Sequence, residues 1–381
     1  MQDKKYLMIP GPTPIPPTVA AAMSQPLIGH RSDDFAKLHE EIIKKLKQVL
    51  QTENDVFILT NTGTGAMEAA IANTVNPGDK VLSLCTGNFG ERFAKIAEAY
   101  GASVEHIDSA WGDDVDLRAA SQKLESDPAI KIVLATLNET STGVTNDIAG
   151  IAALVAKTPA LLLVDGISGI GAIEHKTDQW GVDILVTASQ KALMLPPGLS
   201  VITVSGKAWR VIGDNQSPRF YLSLPAAKKV YDKWNTAYTP AVSLFFGLNA
   251  SLDMLLAEGM ANVYARHALL AKATRAAIKA LGLKLVAGDH CASNSLTAVY
   301  SPEGIGADDI RGVLKKQYGI TFAGGQDHLK GLIFRIAHMG FADKMDVIIA
   351  VSALEMALAK VNYPVNLGTG VRAAQEVFLE A

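Results

Sequence analysis

Lys191, in Ser189-Gln190-Lys191-Ala192, follows an apolar run from Val182 to Ala188 that reads as a buried strand. A lysine just past the end of such a strand is costly to place and chemically useful. Desolvation makes its ammonium lose a proton more easily, and the free amine can form an imine with a carbonyl compound. Asp165 closes a second apolar run, Ala160-Leu161-Leu162-Leu163-Val164. A carboxylate in that position is normally paired; a helix N-terminus, or Lys191 in a structural ion pair, would satisfy it. Together the two strand ends offer what pyridoxal 5′-phosphate requires, an amine for its aldehyde and a carboxylate for its ring nitrogen.

Other candidates lie in turns after apolar runs. Thr60-Asn61-Thr62-Gly63-Thr64-Gly65-Ala66-Met67-Glu68 joins a strand to a helix. Its glycines allow a tight turn, and the exposed N–H groups of a helix start favour a phosphate, with Thr62 and Thr64 as hydroxyl donors. Ordinary threonine capping accounts for the same residues. The turn is not a dinucleotide fingerprint, because Glu68 stands where the third glycine belongs; Gly169-Ile170-Gly171 fails likewise at Glu174, and no P-loop occurs. Phe89, in Thr86-Gly87-Asn88-Phe89-Gly90, could stack on a planar ring or simply pack beneath its own helix. Asn138-Glu139-Thr140-Ser141-Thr142-Gly143 could bond a cofactor oxygen or only shape a turn. Arg335 is flanked by apolar residues in Leu332-Ile333-Phe334-Arg335-Ile336-Ala337. Pointing inward it can grip a carboxylate with two parallel hydrogen bonds; on an edge it would point to solvent.

These residues need strands to carry them. Short apolar runs at Val56–Leu59, Val81–Cys85, Val104–Ile107, Ile132–Thr136, Leu161–Val164, Ile184–Thr187 and Leu199–Val204 alternate with helical patterns. The helices are expected at Asp33–Leu50, Ala66–Val75, Glu91–Tyr100, Leu117–Leu124 and Ile148–Ala156. This predicts an α/β fold with a mostly parallel seven-stranded sheet sandwiched by helices. Beyond Pro240 the pattern changes to one long helical stretch, Val242–Leu281, then strands at Leu283–Val286, Ser295–Tyr300 and Leu332–Ile336 with helices at Ala307–Tyr318 and Lys344–Val361. The expected organisation is an extended proline-rich lead-in over 1–20, a large domain over 21–260 and a small α+β domain over 261–381.

With 381 residues, 49% hydrophobic, the chain can bury a large core. Lys+Arg 35 against Asp+Glu 38 gives no basic excess, so nucleic acid is not an expected partner. No metal-ligand spacing links Cys85 and Cys291, and two cysteines suit a reducing cytosol. The N-terminus has no signal-peptide core, and the apolar segments Ile148–Val164 and Val347–Ala359 are broken by Lys157 and Glu355. Neither secretion nor a membrane partner is expected, and the expected location is cytoplasmic.

Taken together, the chain resembles the class V, fold-type I aminotransferases that use pyridoxal phosphate, most closely the alanine–glyoxylate, serine–glyoxylate and serine–pyruvate group. The resemblance runs through Pro10-Gly11-Pro12-Thr13, Gly29-His30-Arg31-Ser32, Gly63-Thr64-Gly65, Asn138 to Gly143, Val164-Asp165, Ser189-Gln190-Lys191-Ala192 with Pro196-Pro197-Gly198, and Phe334-Arg335-Ile336. It implies a Schiff base at Lys191, Asp165 on the ring nitrogen and Phe89 stacked on the ring. It further implies Thr62, Gly63, Thr64 and Gln190 at the phosphate and Thr140 at the ring oxygen or a neighbouring group. Arg335 would hold the substrate carboxylate, with Gly11 near the substrate. The family is implied to be a homodimer whose second subunit completes the phosphate site; Tyr238 and Thr239 are the matching residues. The implied activity is ping-pong transfer from alanine or serine to glyoxylate or pyruvate. A cysteine desulfurase or lyase would instead need a reactive loop cysteine, for which Cys291 is the candidate. A non-catalytic scaffold relative is the third reading, against which Asp165 and Lys191 both speak.

Overall fold

Strands buried along their whole length need cover on both faces. Leu161–Asp165, Ile184–Ala188 and Ser200–Val204 are buried at every position. In the computed structural model, which describes residues 5–381, they lie together inside a seven-stranded sheet. From edge to edge the order is Asp55–Leu59, Ser200–Val204, Ile184–Ala188, Leu161–Asp165, Ile130–Thr136, Lys80–Cys85 and Ser103–Asp108. Ser200–Val204 runs antiparallel to both neighbours, and the other adjacent pairs are parallel. The expected fold class is therefore observed.

This topology gathers the candidate turns. The strands ending at Leu59, Cys85, Thr136, Asp165 and Ala188 all point the same way, so the loops after them share one edge of the sheet. Open α/β sheets bind ligands outside that edge.

A second sheet of four strands has the order Tyr6–Met8, Ile320–Gly324, Ile333–Ala337, Leu296–Tyr300. Arg335 sits at its centre, in register with Ala298 on one side and Ala323 on the other. Its first strand comes from the proline-rich lead-in, which is thus paired structure in part. The helix Pro17–Met23 starts on Pro17, a first-turn position where the missing N–H costs nothing.

Several expected elements differ. The stretch read as one helix from Val242 to Leu281 is two, Val242–Glu258 and Met260–Ala280, bent by 85° at Gly259. Gly259 has φ +82, open to glycine and strained for other residues, while apolar spacing continues on both sides. Leu283–Val286 forms only a single bridge, Leu285 to Val299. The strand Ile320–Gly324 and the helices Gly206–Asp214, Leu224–Tyr231 and Thr369–Leu379 went unread in the sequence. Among the described residues no single helix is long and apolar enough to cross a membrane.

Candidate active site

Lys191 lies in the turn after Ile184–Ala188. Ser189 ties that turn down, its hydroxyl donating to Pro196 O at 2.7 Å. The lead-in closes over it: Thr13 N donates to Gln190 O at 3.1 Å and Thr13 Oγ1 to Lys191 O at 2.7 Å. Lys191 Nζ donates to the carbonyl of Pro10. A Cβ on Gly11 would fall 2.7 Å from that Nζ, and Gly11 has φ +129, so a side chain is excluded by space and by backbone alike. Burial pulls the Lys191 amine down to about 8, Asp165 holds it up in part, and Arg335 and Arg92 lower it further.

Asp165 ends its strand 3% exposed and accepts a hydrogen bond from Ile167 N at 2.8 Å. Burial raises its carboxyl to about 7; Ile167 N opposes the rise, Glu139 adds to it, and Lys191 and Arg92 oppose it. Arg335 points inward, 6% exposed, which removes the edge reading. Its Nε donates to Gly324 O at 2.8 Å and Nη1 to Thr140 O at 2.7 Å, and among the described residues neither bond uses Nη2. Burial lowers its pKa to about 10, so it stays cationic at neutral pH. The fields of Asp165, Arg335 and Arg92 all reach Lys191, so these groups share one site.

Thr62 caps the helix Gly63–Thr74, its hydroxyl accepting from Gly65 N at 3.4 Å. A Cβ on Gly63 would lie 2.6 Å from Ile167 Cδ1 and 3.1 Å from Ala188 Cβ, so this helix start presses on the ends of two central strands. Thr64 is exposed in the first turn. Phe89 is the second residue of the helix Asn88–Ala99, with the Arg92 guanidinium 4.7 Å from its ring centre. Thr140 Oγ1 pairs with Ser168 Oγ at 3.2 Å, and Gln190 Oε1 is buried without a partner among the described residues. Tyr238 and Thr239 line a separate cleft with Thr60, Asn61 and Tyr221; Tyr238 stacks on Tyr221 at 5.3 Å. Sequence reasoning missed Pro10, Thr13, Arg92 and the side chain of Glu139.

Residues 5–342 match the family model described as aminotransferase class-V. The chain belongs to the class-V aminotransferases. Two relatives are each 40% identical to it: an L-aspartate–glyoxylate aminotransferase of Paracoccus denitrificans, covering 99% of this chain and 96% of its own, and a serine–glyoxylate aminotransferase of Hyphomicrobium methylovorum, covering 98% and 94%. The crystal structure of ureidoglycine–glyoxylate aminotransferase from Bacillus subtilis is 30% identical with a TM-score of 0.94, covering 100% of this chain and 99% of its own.

Class-V aminotransferases depend on pyridoxal phosphate, and the residues here fit it. The amine at Lys191 is pulled toward its neutral form, the Asp165 carboxyl is buried at the end of the neighbouring strand, and the helix starting at Gly63 turns the positive end of its dipole to the same sheet edge. Asn61 Nδ2, in the same turn, is a buried donor without a partner among the described residues. Both thiols, by contrast, are buried at 3% and 4% exposure. Burial pushes Cys85 up to about 12 and also raises Cys291, whose Sγ donates to Gly112 O at 3.4 Å. Neither is a ready nucleophile.

Only the neutral amine adds to an aldehyde, so cofactor uptake by cofactor-free protein is expected to rise about tenfold per pH unit below the Lys191 pKa and to level off above it. Stopped-flow absorbance measures this; a rate still climbing near pH 10 would contradict a lowered Lys191, since an ordinary lysine titrates at about 10.4. Gly11→Ala is expected to lower the melting temperature, because the backbone there is strained for any side chain, and to take up cofactor on the order of tenfold more weakly, because its methyl group displaces the amine. Circular-dichroism melting and cofactor absorbance check the two halves of that statement.

Proposed function

We propose that this aminotransferase moves the amino group of a small amino acid, alanine or serine, to glyoxylate or pyruvate in a ping-pong cycle, with Lys191 bonded to the cofactor as a Schiff base. The observation that carries the proposal is the convergence of a buried amine lowered to about 8, a buried carboxyl at the end of the neighbouring strand, and an inward arginine from the small sheet whose charge reaches that amine. Bound pyridoxal phosphate supplies the electron sink for charge developing at the substrate Cα.

The chain's residues do the rest. Asp165 would hold the ring nitrogen protonated. Phe89 would cover one ring face, Thr62, Gly63, Thr64 and Gln190 would hold the phosphate, and Thr140 would serve the ring oxygen or a neighbouring group. Arg335 binds the substrate α-carboxylate and fixes the direction of the Cα–H bond. Lys191 Nζ would take the Cα proton, and an amine lowered to about 8 suits that task. The absent side chain at Gly11 leaves room beside this amine. All three relatives above are glyoxylate aminotransferases by name, which supports glyoxylate as acceptor.

We further propose a homodimer with a shared site. Phe220 is 81% and Tyr221 49% exposed, and Tyr238 stacks beside them, an aromatic patch next to the Thr60–Asn61 turn that a second copy would cover. Light scattering on the purified protein should give twice the chain mass; a monomer mass at micromolar concentration would overturn this.

Lys191→Ala is expected to lose turnover and the visible absorbance of the bound cofactor. Retained transamination in that variant would sink the lysine assignment. A donor panel of alanine, serine, aspartate and glutamate against glyoxylate and pyruvate should show alanine or serine with glyoxylate or pyruvate as the best pair. Aspartate leading the panel would refute the small-donor reading while leaving transamination intact.

A further inference from the structure

Glu139 is a carboxylate with no solvent exposure. Its Oε2 accepts from Phe89 N and from Gly90 N, both at 3.0 Å. Its Oε1 accepts from Ser141 N at 3.0 Å and from Ser141 Oγ at 2.6 Å. That hydroxyl in turn accepts from Asn88 N at 3.0 Å, so its proton is committed to Glu139. Burial raises the Glu139 pKa on balance, and the bonds from Ser141, Gly90 and Phe89 oppose that rise. All four of these bonds are donations to the carboxyl oxygens, and with the positive end of the helix Asn88–Ala99 they favour the anion.

The turn before Phe89 is built on this side chain. A Cβ on Gly87 would lie 2.4 Å from Ser141 Oγ and 2.7 Å from Glu139 Cγ, so the loop after Lys80–Cys85 approaches as only glycine permits. On the other side the next residue, Thr140, accepts from Arg335 Nη1 at 2.7 Å through its carbonyl. The segment Asn138–Ser141 therefore touches the Phe89 turn with one residue and Arg335 with the next.

We propose that Glu139 is a positioning residue that holds the Phe89 turn and the Arg335 anchor in one frame, setting the cofactor ring and the substrate carboxylate relative to each other. This rests on the cofactor and substrate roles proposed for Phe89 and Arg335. It also makes Glu139 a fixed negative charge beside the cofactor, since its field reaches both Asp165 and Arg335.

The test is Glu139→Gln in the full-length enzyme. Glutamine keeps the size but can accept from only part of the donor set, and its amide N–H faces another N–H. Cofactor affinity of the cofactor-free variant should fall about tenfold or more, the effect of leaving buried donors unmet. KM for the amino donor at saturating cofactor should rise as well. Phe89→Ala should weaken the cofactor alone, and Arg335→Lys should raise KM alone. The decisive readout is the pH titration of the cofactor's visible absorbance, which should move to lower pH because a negative charge that favoured the protonated imine nitrogen is gone. A merely loosened fold would lower the melting temperature without moving that titration. Unchanged affinity with an unchanged titration overturns the proposal, as does a lowered melting temperature with the titration fixed. Should Glu139→Gln not fold, Ser141→Ala removes one donor and should shift affinity and titration the same way by a smaller factor; no shift there overturns it too. If the wild-type protein itself bonds no cofactor at Lys191, the underlying functional reading fails first, and that is visible before any Glu139 variant is made.

Discussion

Burial drives the Lys191 amine toward its neutral form, and Asp165, itself driven toward neutrality, pulls it back. Two groups at the ends of adjacent buried strands each carry a charge that the interior resists. Each offsets part of the other's cost, and a rigid sheet beneath holds both in place. The strands beneath them, Leu161–Asp165 and Ile184–Ala188, pair in register from Leu163 with Ile184 to Asp165 with Val186, which fixes the spacing of the two loops beyond their ends. A packed sheet interior does not yield to the strain that two confined charges impose.

The surrounding charges form a balanced set rather than a random cluster. Arg335 and Arg92 lower the Lys191 amine, and Glu139 raises Asp165. The cations come from different places: Arg92 from a helix on the large sheet, Arg335 from the middle of the small sheet. Joining the sheets is a buried polar seam, in which Asn138 Nδ2 donates at 2.9 Å to both Ser168 Oγ and Ser295 Oγ. Buried polar groups that are all satisfied specify one arrangement strongly, because every alternative leaves some of them unpaired.

Much of this was legible in the sequence because of how strands end. Lys191 and Asp165 each follow an uninterrupted apolar run, where a charge is too costly to keep unless it is paired or put to use. Arg335 was legible as a residue but not in its direction: Phe334 and Ile336 on either side are buried too, so alternation cannot choose a face. Glu139 was hidden because a carboxylate among hydroxyls reads as turn chemistry, and its partners, Phe89 and Gly90, lie in another loop. The break at Gly259 was masked by apolar spacing that continues through it. Tyr238 and Thr239 were placed by resemblance, and within one chain they face Thr60 and Asn61. Tyr6–Met8 was unreadable for a different reason: three residues carry no periodicity, and their partner strand lies near the far end of the chain.

That last pairing bears on how the molecule is made. Tyr6, Leu7 and Met8 align with Ile320, Thr321 and Phe322, so this strand can pair only once the distant segment around Ile320 has been made. Pro10, whose carbonyl receives the Lys191 amine, comes directly after that strand. Until that pairing forms, the wall over the lysine lacks its anchor on the small sheet, and a chain whose large sheet has already closed would still hold its reactive amine open to the surroundings.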